Sequence, residues 1–443
     1  MHKVMKNWIV SVLLCVILTS GLLLRSYHSA VWPREGATFD EFAWTFLGMS
    51  IWKTGIPTSW SPHNAYTEKQ EYYNPKGAHF TLVTPYLEHP PLFGLLAGGF
   101  ARMRGIEKFD DVTIGKIRPL ATLLGILSIV SVFLLANAVY GVFVGLLASG
   151  LYAITPSVVI GSRLVQNENF FIPFFLLSIY LAYEYIQKNK SIFFYVSACI
   201  SGILPLAKIP WIAAPIAVIG MLLYAKKRKE AIIVGGMTFL FLSLFLPWGY
   251  ALDSSVFINL WKLQLARYDM SFAGFFVLFR DPIIVDRLFI DGWIYFGWGS
   301  LLLLFTRDFK KNMPILVGFL AYAIIYLFAI PAEPLHGWYR YPFYPFLLIS
   351  TAVILQEYWH SNLFVYGIWS ILTGLSMLGA SFERQLGFSY IIYRTYILLV
   401  FASISPRIFS GLNRFKGLEY LRYIITILIC VFTVYGIVYY SEQ

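Results

Sequence analysis

Apolar runs close to the length of a membrane crossing recur through the whole chain. They lie near 8–24, 118–138, 142–160, 170–186, 192–207, 210–225, 231–249, 291–305, 313–330, 341–357, 361–379, 388–404 and 421–439. A helix needs roughly 20 apolar residues to cross a bilayer. In lipid the backbone must satisfy its own hydrogen bonds, which leaves helices or closed barrels. A barrel would show alternating segments of about ten residues, and the runs here do not alternate. The expected fold class is therefore an all-α polytopic membrane protein with about thirteen spans. The charged fraction agrees: 13%, against about 25% in soluble domains.

The net charge of +11 would suggest nucleic acid in a soluble chain. Here Lys and Arg cluster beside apolar runs, as membrane topology requires, so no nucleic-acid partner is expected. The three cysteines, Cys15, Cys199 and Cys430, lie inside apolar runs, which argues against disulfides and a zinc site. His2, Lys3 and Lys6 mark the N-terminus as cytoplasmic, and the first run reads as an uncleaved anchor.

The Lys/Arg cluster at 226–229 should also be cytoplasmic. Six crossings return the chain there. A seventh, over the short apolar segment 91–103, would not, so that segment is expected to lie in the interface. Arg102, Arg104, Lys108, Lys116 and Arg118 then fall outside, and the arginines are expected to meet phospholipid headgroups.

Residues 25–117 become the first outer loop. Thr38 and Glu41 have capping-box spacing, which predicts a surface helix to about Lys53; residues 57–88 read as ordered loop. Further outer loops fall at 250–290 and 331–340. The layout divides into a module over 1–250 and further spans over 251–443, with no internal repeat of the kind many transporters carry.

This topology gathers acids and cations on one face, as a lipid-linked anionic substrate requires. Asp40 and Glu41 open the first loop; Glu88 and His89 close it. Arg163 and Glu168 sit in the short loop 161–169. Lys208 lies between Pro205 and Pro210 at an outer turn, Arg267 in the second large loop, and His336, Arg340 and Tyr341 in 331–341. Plainer roles exist for each. Asp40 and Glu41 suit a helix N-terminus, Glu168 can begin a span, His89 can pack in its loop, and Arg340 can snorkel. Lys208 interrupts an apolar stretch, where a lysine is costly without a partner.

The Asp-Glu pair after the first span, the H-P-P-L motif at 89–92, the Arg-containing entry to the next span at 115–120, the short acidic loop around Glu168 and the lysine of L-A-K-I-P together form a pattern. It resembles the protein O-mannosyltransferases and lipid A aminoarabinose transferases, which are membrane glycosyltransferases of the C-type (GT-C) fold. The resemblance is clearest over 8–225. It implies a GT-C fold, a polyprenyl-phosphate-sugar donor (undecaprenyl or dolichyl), a lipid, glycan or protein acceptor, and chemistry on the outer face of the cell membrane. Carried over, Asp40 matches the first-loop catalytic acid, Glu41 its neighbour and Glu168 the second-loop acid. His89 stands where some relatives carry Lys.

Transfer of a sugar to a hydroxyl or phosphate needs a base for the acceptor proton, and Asp40 is the choice. Lys208 and Arg340, with Arg163 and Arg267 in reserve, are expected to stabilise charge on the leaving phosphate. Glu88, His89, His336 and Tyr341 are expected to position substrate. No cofactor is expected. A divalent cation held by Asp40 and Glu168 is the alternative to a metal-free site. A single displacement would invert the anomeric carbon. Other classes remain open: a lipid-linked-sugar transporter or flippase, a non-catalytic assembly or sensing protein, and, among enzymes, an oligosaccharide ligase or polymerase.

Overall fold

The computed structural model describes residues 2–266, 275, 278–279, 284, 290–329, 336–359, 363–378, 389–409 and 417–442. The described chain is almost wholly helical. Among the described residues, six helices are each long and apolar enough to cross a bilayer alone, and seven further apolar helices are 10–17 residues long. The six include α1 (His2–Ser26), α4 (Ile114–Tyr140) and α7 (Asn167–Lys188).

Several expected crossings are divided where proline removes a backbone donor. The run over 142–160 is split into α5 (Val142–Ile154) and α6 (Pro156–Gly161). The hairpin of α8 (Ser191–Ile203) and α9 (Ala213–Tyr224) turns through two 3-10 segments, Leu204–Leu206 and Ile209–Ile212, with Lys208 between them in extended conformation. The apolar outer surface is that of a protein in lipid: Trp8 and Leu23 of α1 are 67% and 64% exposed.

The connection between α1 and α4 carries most of the architecture that matters for the site. Helix α2 (Asp40–Thr54) ends at Gly55, which takes the left-handed conformation and donates its N–H to the Ile51 carbonyl, as glycine at that position favours. The reciprocal capping box does not form. The Thr38 hydroxyl accepts from the Asp40 N–H, while the Glu41 carboxylate turns away to an arginine, described below. Residues 57–88 contain more than loop. Strands β1 (Ser59–Trp60), β2 (Gln70–Tyr73) and β3 (His79–Val83) form a small antiparallel sheet in the order β1-β3-β2. Its inner residue Phe80 packs against Phe42 and Phe46 of α2.

Helix α3 (Leu92–Met103) crosses α2 at glycines on both sides. A Cβ on Gly48 would lie 1.8 Å from the Gly94 carbonyl oxygen, and one on Gly98 would lie 2.2 Å from the Gly48 carbonyl carbon. Backbones approach this closely only where side chains are absent. The Trp52 indole donates to the Leu95 carbonyl and Arg102 to the Trp52 carbonyl, closing the far end of the pair. Arg102 stays exposed, so this one bond leaves its other donors open to headgroups.

In the second half, the stretch expected as loop from 250 onward begins as helix. Asp253 is extended and its carboxylate accepts from the Val256 N–H and the Ser255 hydroxyl. It starts a new helical segment that runs to Ala266.

Candidate active site

The N-terminus of α2 is pinned by a buried ion pair. Arg118, from the start of α4, donates from Nε to Glu41 Oε1 at 3.0 Å and from Nη2 to Glu41 Oε2 at 2.8 Å. Its third nitrogen donates to the Ser29 and Pro33 carbonyls at 2.7 and 2.6 Å. Both side chains are fully buried. This corrects the headgroup role expected for Arg118: no surface reaches lipid or water. Glu41 Oε1 also accepts from the Val165 N–H at 3.0 Å. One carboxylate therefore ties together the connection after α1, the entry to α4 and the turn before α7. A planar guanidinium opposite a carboxylate has the geometry for two parallel bonds.

Asp40, one residue earlier, is thereby held at the edge of a polar pocket. Gln166, in the turn before α7, donates to the Thr38 hydroxyl at 3.0 Å and its side chain also hydrogen-bonds Asp40. Next along, Asn167 donates to the Ala207 carbonyl at 2.8 Å and accepts from the Trp211 indole at 2.6 Å. The turn is closed by Asn169, whose amide donates to the Gly161 and Leu164 carbonyls. These amides orient Glu168, which is fully buried.

Lys208 meets Glu168 across the pocket. Its ammonium donates to Glu168 Oε1 at 2.8 Å and lies 4.6 Å from the centre of the Tyr339 ring. The second oxygen, Glu168 Oε2, is buried and has no hydrogen-bond partner among the described residues. Burial pushes the Asp40 carboxyl up to about 6; Lys208 and the Gln166 hydrogen bond oppose this, while Glu168 and Glu41 reinforce it. Burial alone would lower the Lys208 ammonium, but Glu168, Tyr339 and Asp40 together hold it above its usual value. The pocket thus joins one readily protonated acid, one acid with an open oxygen and one fixed cation.

The remaining expected residues are distributed around this centre. Glu88 is buried, 3.6 Å from His63 Nε2, and it bears electrostatically on Tyr66 and Tyr86, as Asp40 does on Tyr86. His89 packs against the Trp44 and Tyr86 rings at 5.3 and 6.4 Å. Tyr341 is buried, donates to the Ile284 carbonyl and lies over Gly161, where a Cβ would stand 2.4 Å from its Cζ. Arg340 is buried with its guanidinium bonded to the Tyr326 hydroxyl. His336 is exposed and stacks on Trp338 at 4.2 Å.

Arg163 does not reach the pocket with its hydrogen bonds. It is buried and donates to the Leu24 carbonyl at 2.8 Å and to the Trp32 carbonyl at 3.5 Å. Arg267 lies outside the described residues. Gln166, Asn167, Tyr86, Trp211 and Tyr339 escaped the sequence reading. The Q-N-E-N run at 166–169 was the available signal, because amides on both sides of an acid can orient it.

A divalent cation between Asp40 and Glu168 would have the open Glu168 oxygen and the Asp40 carboxylate as ligands, with the Lys208 ammonium on the other Glu168 oxygen. No group of three or more His, Cys, Asp or Glu side chains comes together among the described residues. A separate cavity of about 500 Å³, lined by residues such as Phe143, Leu151, Trp293 and Trp369, is apolar and shares no residue with this pocket.

Residues 88–250 match the model of the dolichyl-phosphate-mannose-protein mannosyltransferase family. Among solved structures, ArnT from Cupriavidus metallidurans bound to undecaprenyl phosphate superposes with a TM-score of 0.56 at 13% identity, over 98% of this chain and 77% of that one. The oligosaccharyltransferase AglB from Archaeoglobus fulgidus, in complex with an inhibitory peptide and a dolichol-phosphate, gives 0.52 at 12% identity over 99% of this chain. An Archaeoglobus fulgidus oligosaccharyltransferase in the apo form gives 0.55 at 14% identity. The chain spans 57% of the length of those two oligosaccharyltransferase chains. No curated protein sequence matches. The fold is that of the GT-C membrane glycosyltransferases, and the expected resemblance is borne out by both the family match and the fold.

Proposed function

We propose, from the GT-C fold and the mannosyltransferase-family segment, that the chain is a membrane glycosyltransferase using a polyprenyl-phosphate-linked sugar. It transfers a hexose or pentose to an acceptor hydroxyl or phosphate at the extracytoplasmic face of the cell membrane. The observation that carries this reading is the Asp40 carboxyl, pushed up to about 6 beside the Glu168–Lys208 pair. A general base works best when its pKa lies near the operating pH.

In the reaction, the acceptor O–H gives its proton to the Asp40 carboxylate while the acceptor oxygen bonds to the anomeric carbon. The bond from that carbon to the phosphate oxygen breaks, and the electron pair leaves with the polyprenyl phosphate. This single displacement inverts the anomeric centre. The Lys208 ammonium stabilises charge on the departing phosphate; a fixed cation in a water-poor pocket is worth more than one in bulk water. The open oxygen of Glu168 accepts from a sugar or acceptor hydroxyl. Glu41 acts through Arg118, as a positioning residue for α2.

The experiment is transfer by membranes containing the protein, supplied with radiolabelled undecaprenyl- and dolichyl-phosphate sugars, beside Asp40→Asn. Transfer or donor hydrolysis by the wild type and its loss in the variant are expected. No turnover of any donor would overturn the enzyme reading. Full activity in Asp40→Asn would overturn the base assignment alone.

A further inference from the structure

At the end of α2 opposite Asp40, the first outer loop contains a second concave site. It is a groove of about 340 Å³ between the last turns of α2, strand β2 and residues 107–110. Ser50, Lys53, Tyr72, Glu107, Lys108 and Asp110 are among its lining residues.

Its aromatic floor is held rigidly. The Tyr72 hydroxyl donates to Asp110 Oδ1 at 2.5 Å. Tyr72 stands edge-on to Phe109 at 6.3 Å, and Phe109 stacks on Phe46 at 4.3 Å. Around that floor stand three exposed charged side chains, Lys53, Glu107 and Lys108, whose charged ends make no hydrogen bond or ion pair among the described residues. Two cations, Lys53 and Lys108, face two acids, Glu107 and Asp110, so the groove has no net charge to draw in an anionic membrane surface. Fixed ring faces beside free donors and acceptors suit a ligand with apolar C–H faces and many hydroxyls, which is a sugar chain. Because the rings are already ordered, binding does not have to immobilise them.

We propose that this groove is an acceptor subsite that holds a glycan chain while its reacting unit lies at Asp40. The acceptor assignment rests on the glycosyltransferase reading above; the binding of glycan to the groove does not. Ser50–Thr54 lie ten to fourteen residues beyond Asp40 along α2, about 15–21 Å at the helical rise. A ligand engaging both ends must be an oligosaccharide rather than a single sugar. On this proposal the acceptor is an extended glycan.

The test uses the full chain in detergent with single sugars and successively longer linear mannose and glucose oligosaccharides as probes. Binding is read by saturation-transfer NMR and donor turnover is measured in parallel. Longer probes should bind more tightly than single sugars. The exposed-site variant Lys53→Ala/Lys108→Ala should weaken the longer probes about tenfold, roughly 1.4 kcal/mol, and leave hydrolysis of the donor unchanged. Tyr72→Phe, which frees Asp110, should weaken them less. The inference falls if no oligosaccharide binds, if the double variant binds all lengths as the wild type does, or if Lys53 and Lys108 respond only to vesicles of anionic phospholipid. None of those outcomes touches donor turnover. If glycan binding depends on the two lysines but no donor turns over, the groove stands and the enzyme reading falls.

Discussion

The Lys208 ammonium lies 2.8 Å from the Glu168 carboxylate, joining the turn between α8 and α9 to the first turn of α7. Glu168 is fully buried and the Lys208 side chain only 10% exposed. Removing one partner of a buried pair leaves an uncompensated charge, at about 3–5 kcal/mol. Glu168→Gln and Lys208→Met should each lower the melting temperature markedly. The double variant should recover much of that loss while remaining inactive. Calorimetry and transfer assays on the three variants check this. Recovery of activity in the double variant would show the pair to be a structural brace and nothing more.

Glu41 and Arg118 make a sharper case of the same physics, because the guanidinium also serves two carbonyls. Arg118→Lys keeps the charge but offers no planar fork, so it should rescue little. Arg118→Lys and Glu41→Gln should both impair folding, and any folded fraction should transfer slowly, because the start of α2 is no longer fixed. The measurement is the yield of monodisperse protein together with kcat for that fraction. A normal kcat in folded Arg118→Lys would contradict the positioning role.

Ionised Asp40 should destabilise the folded protein. Its carboxyl is raised from 3.8 to about 6, so between those values the folded state holds the proton more tightly than the unfolded chain. Stability therefore falls as pH rises from about 4 to about 6, and the penalty is complete above that. Asp40→Asn, which cannot ionise, should melt higher than wild type at pH 7.5, with the difference shrinking towards pH 4. Thermal melts at the two pH values decide it; a lower melting temperature for Asp40→Asn at pH 7.5 would contradict the raised value.

The sequence carried the fold class well, because long apolar runs in water-averse numbers admit few structures. It also carried the order of Asp40, Glu168 and Lys208, since an acid or lysine beside apolar runs is conspicuous. Partnering was not legible. Arg118 looked like a headgroup arginine because its run of neighbours was basic, yet its partner Glu41 lies 77 positions away and only the tertiary fold brings them together. Arg163 failed as a pocket residue for a related reason: its hydrogen-bond partners are backbone carbonyls, Leu24 and Trp32, which no sequence pattern marks. The small sheet at 59–83 was hidden by short strands, and its pairing depends on packing against α2 rather than on intrinsic propensity.

The glycine crossing of α2 and α3 should be intolerant of a single methyl group. On Gly98 it would stand 2.2 Å from both Gly48 C and Met49 N, with no flexible side chain to give way. Overpacking of this kind costs about 1–3 kcal/mol and shifts backbone. Gly98→Ala should lower both stability and transfer rate, since α2 carries Asp40. Gly236→Ala meets nothing within 4 Å and lies inside the helix Arg228–Ser243. There the same substitution should leave activity unchanged and stabilise by about 0.5–1 kcal/mol. Equal effects at the two positions would sink the close-crossing argument.

The rate of transfer should follow the ionisation of Asp40. Below the raised value near 6 the carboxyl is protonated and cannot accept the acceptor proton, so log rate should climb with unit slope and level off above it. The neighbours predict which way the inflection moves. Gln166 hydrogen-bonds the carboxylate and lowers its pKa; Gln166→Leu removes that bond, so the inflection should move to higher pH. The plateau rate then separates two roles. If Gln166 only tunes Asp40, the plateau is retained once the pH exceeds the new inflection. An inflection that stays in place in Gln166→Leu, or a profile flat through pH 6 in the wild type, would remove Asp40 as the base.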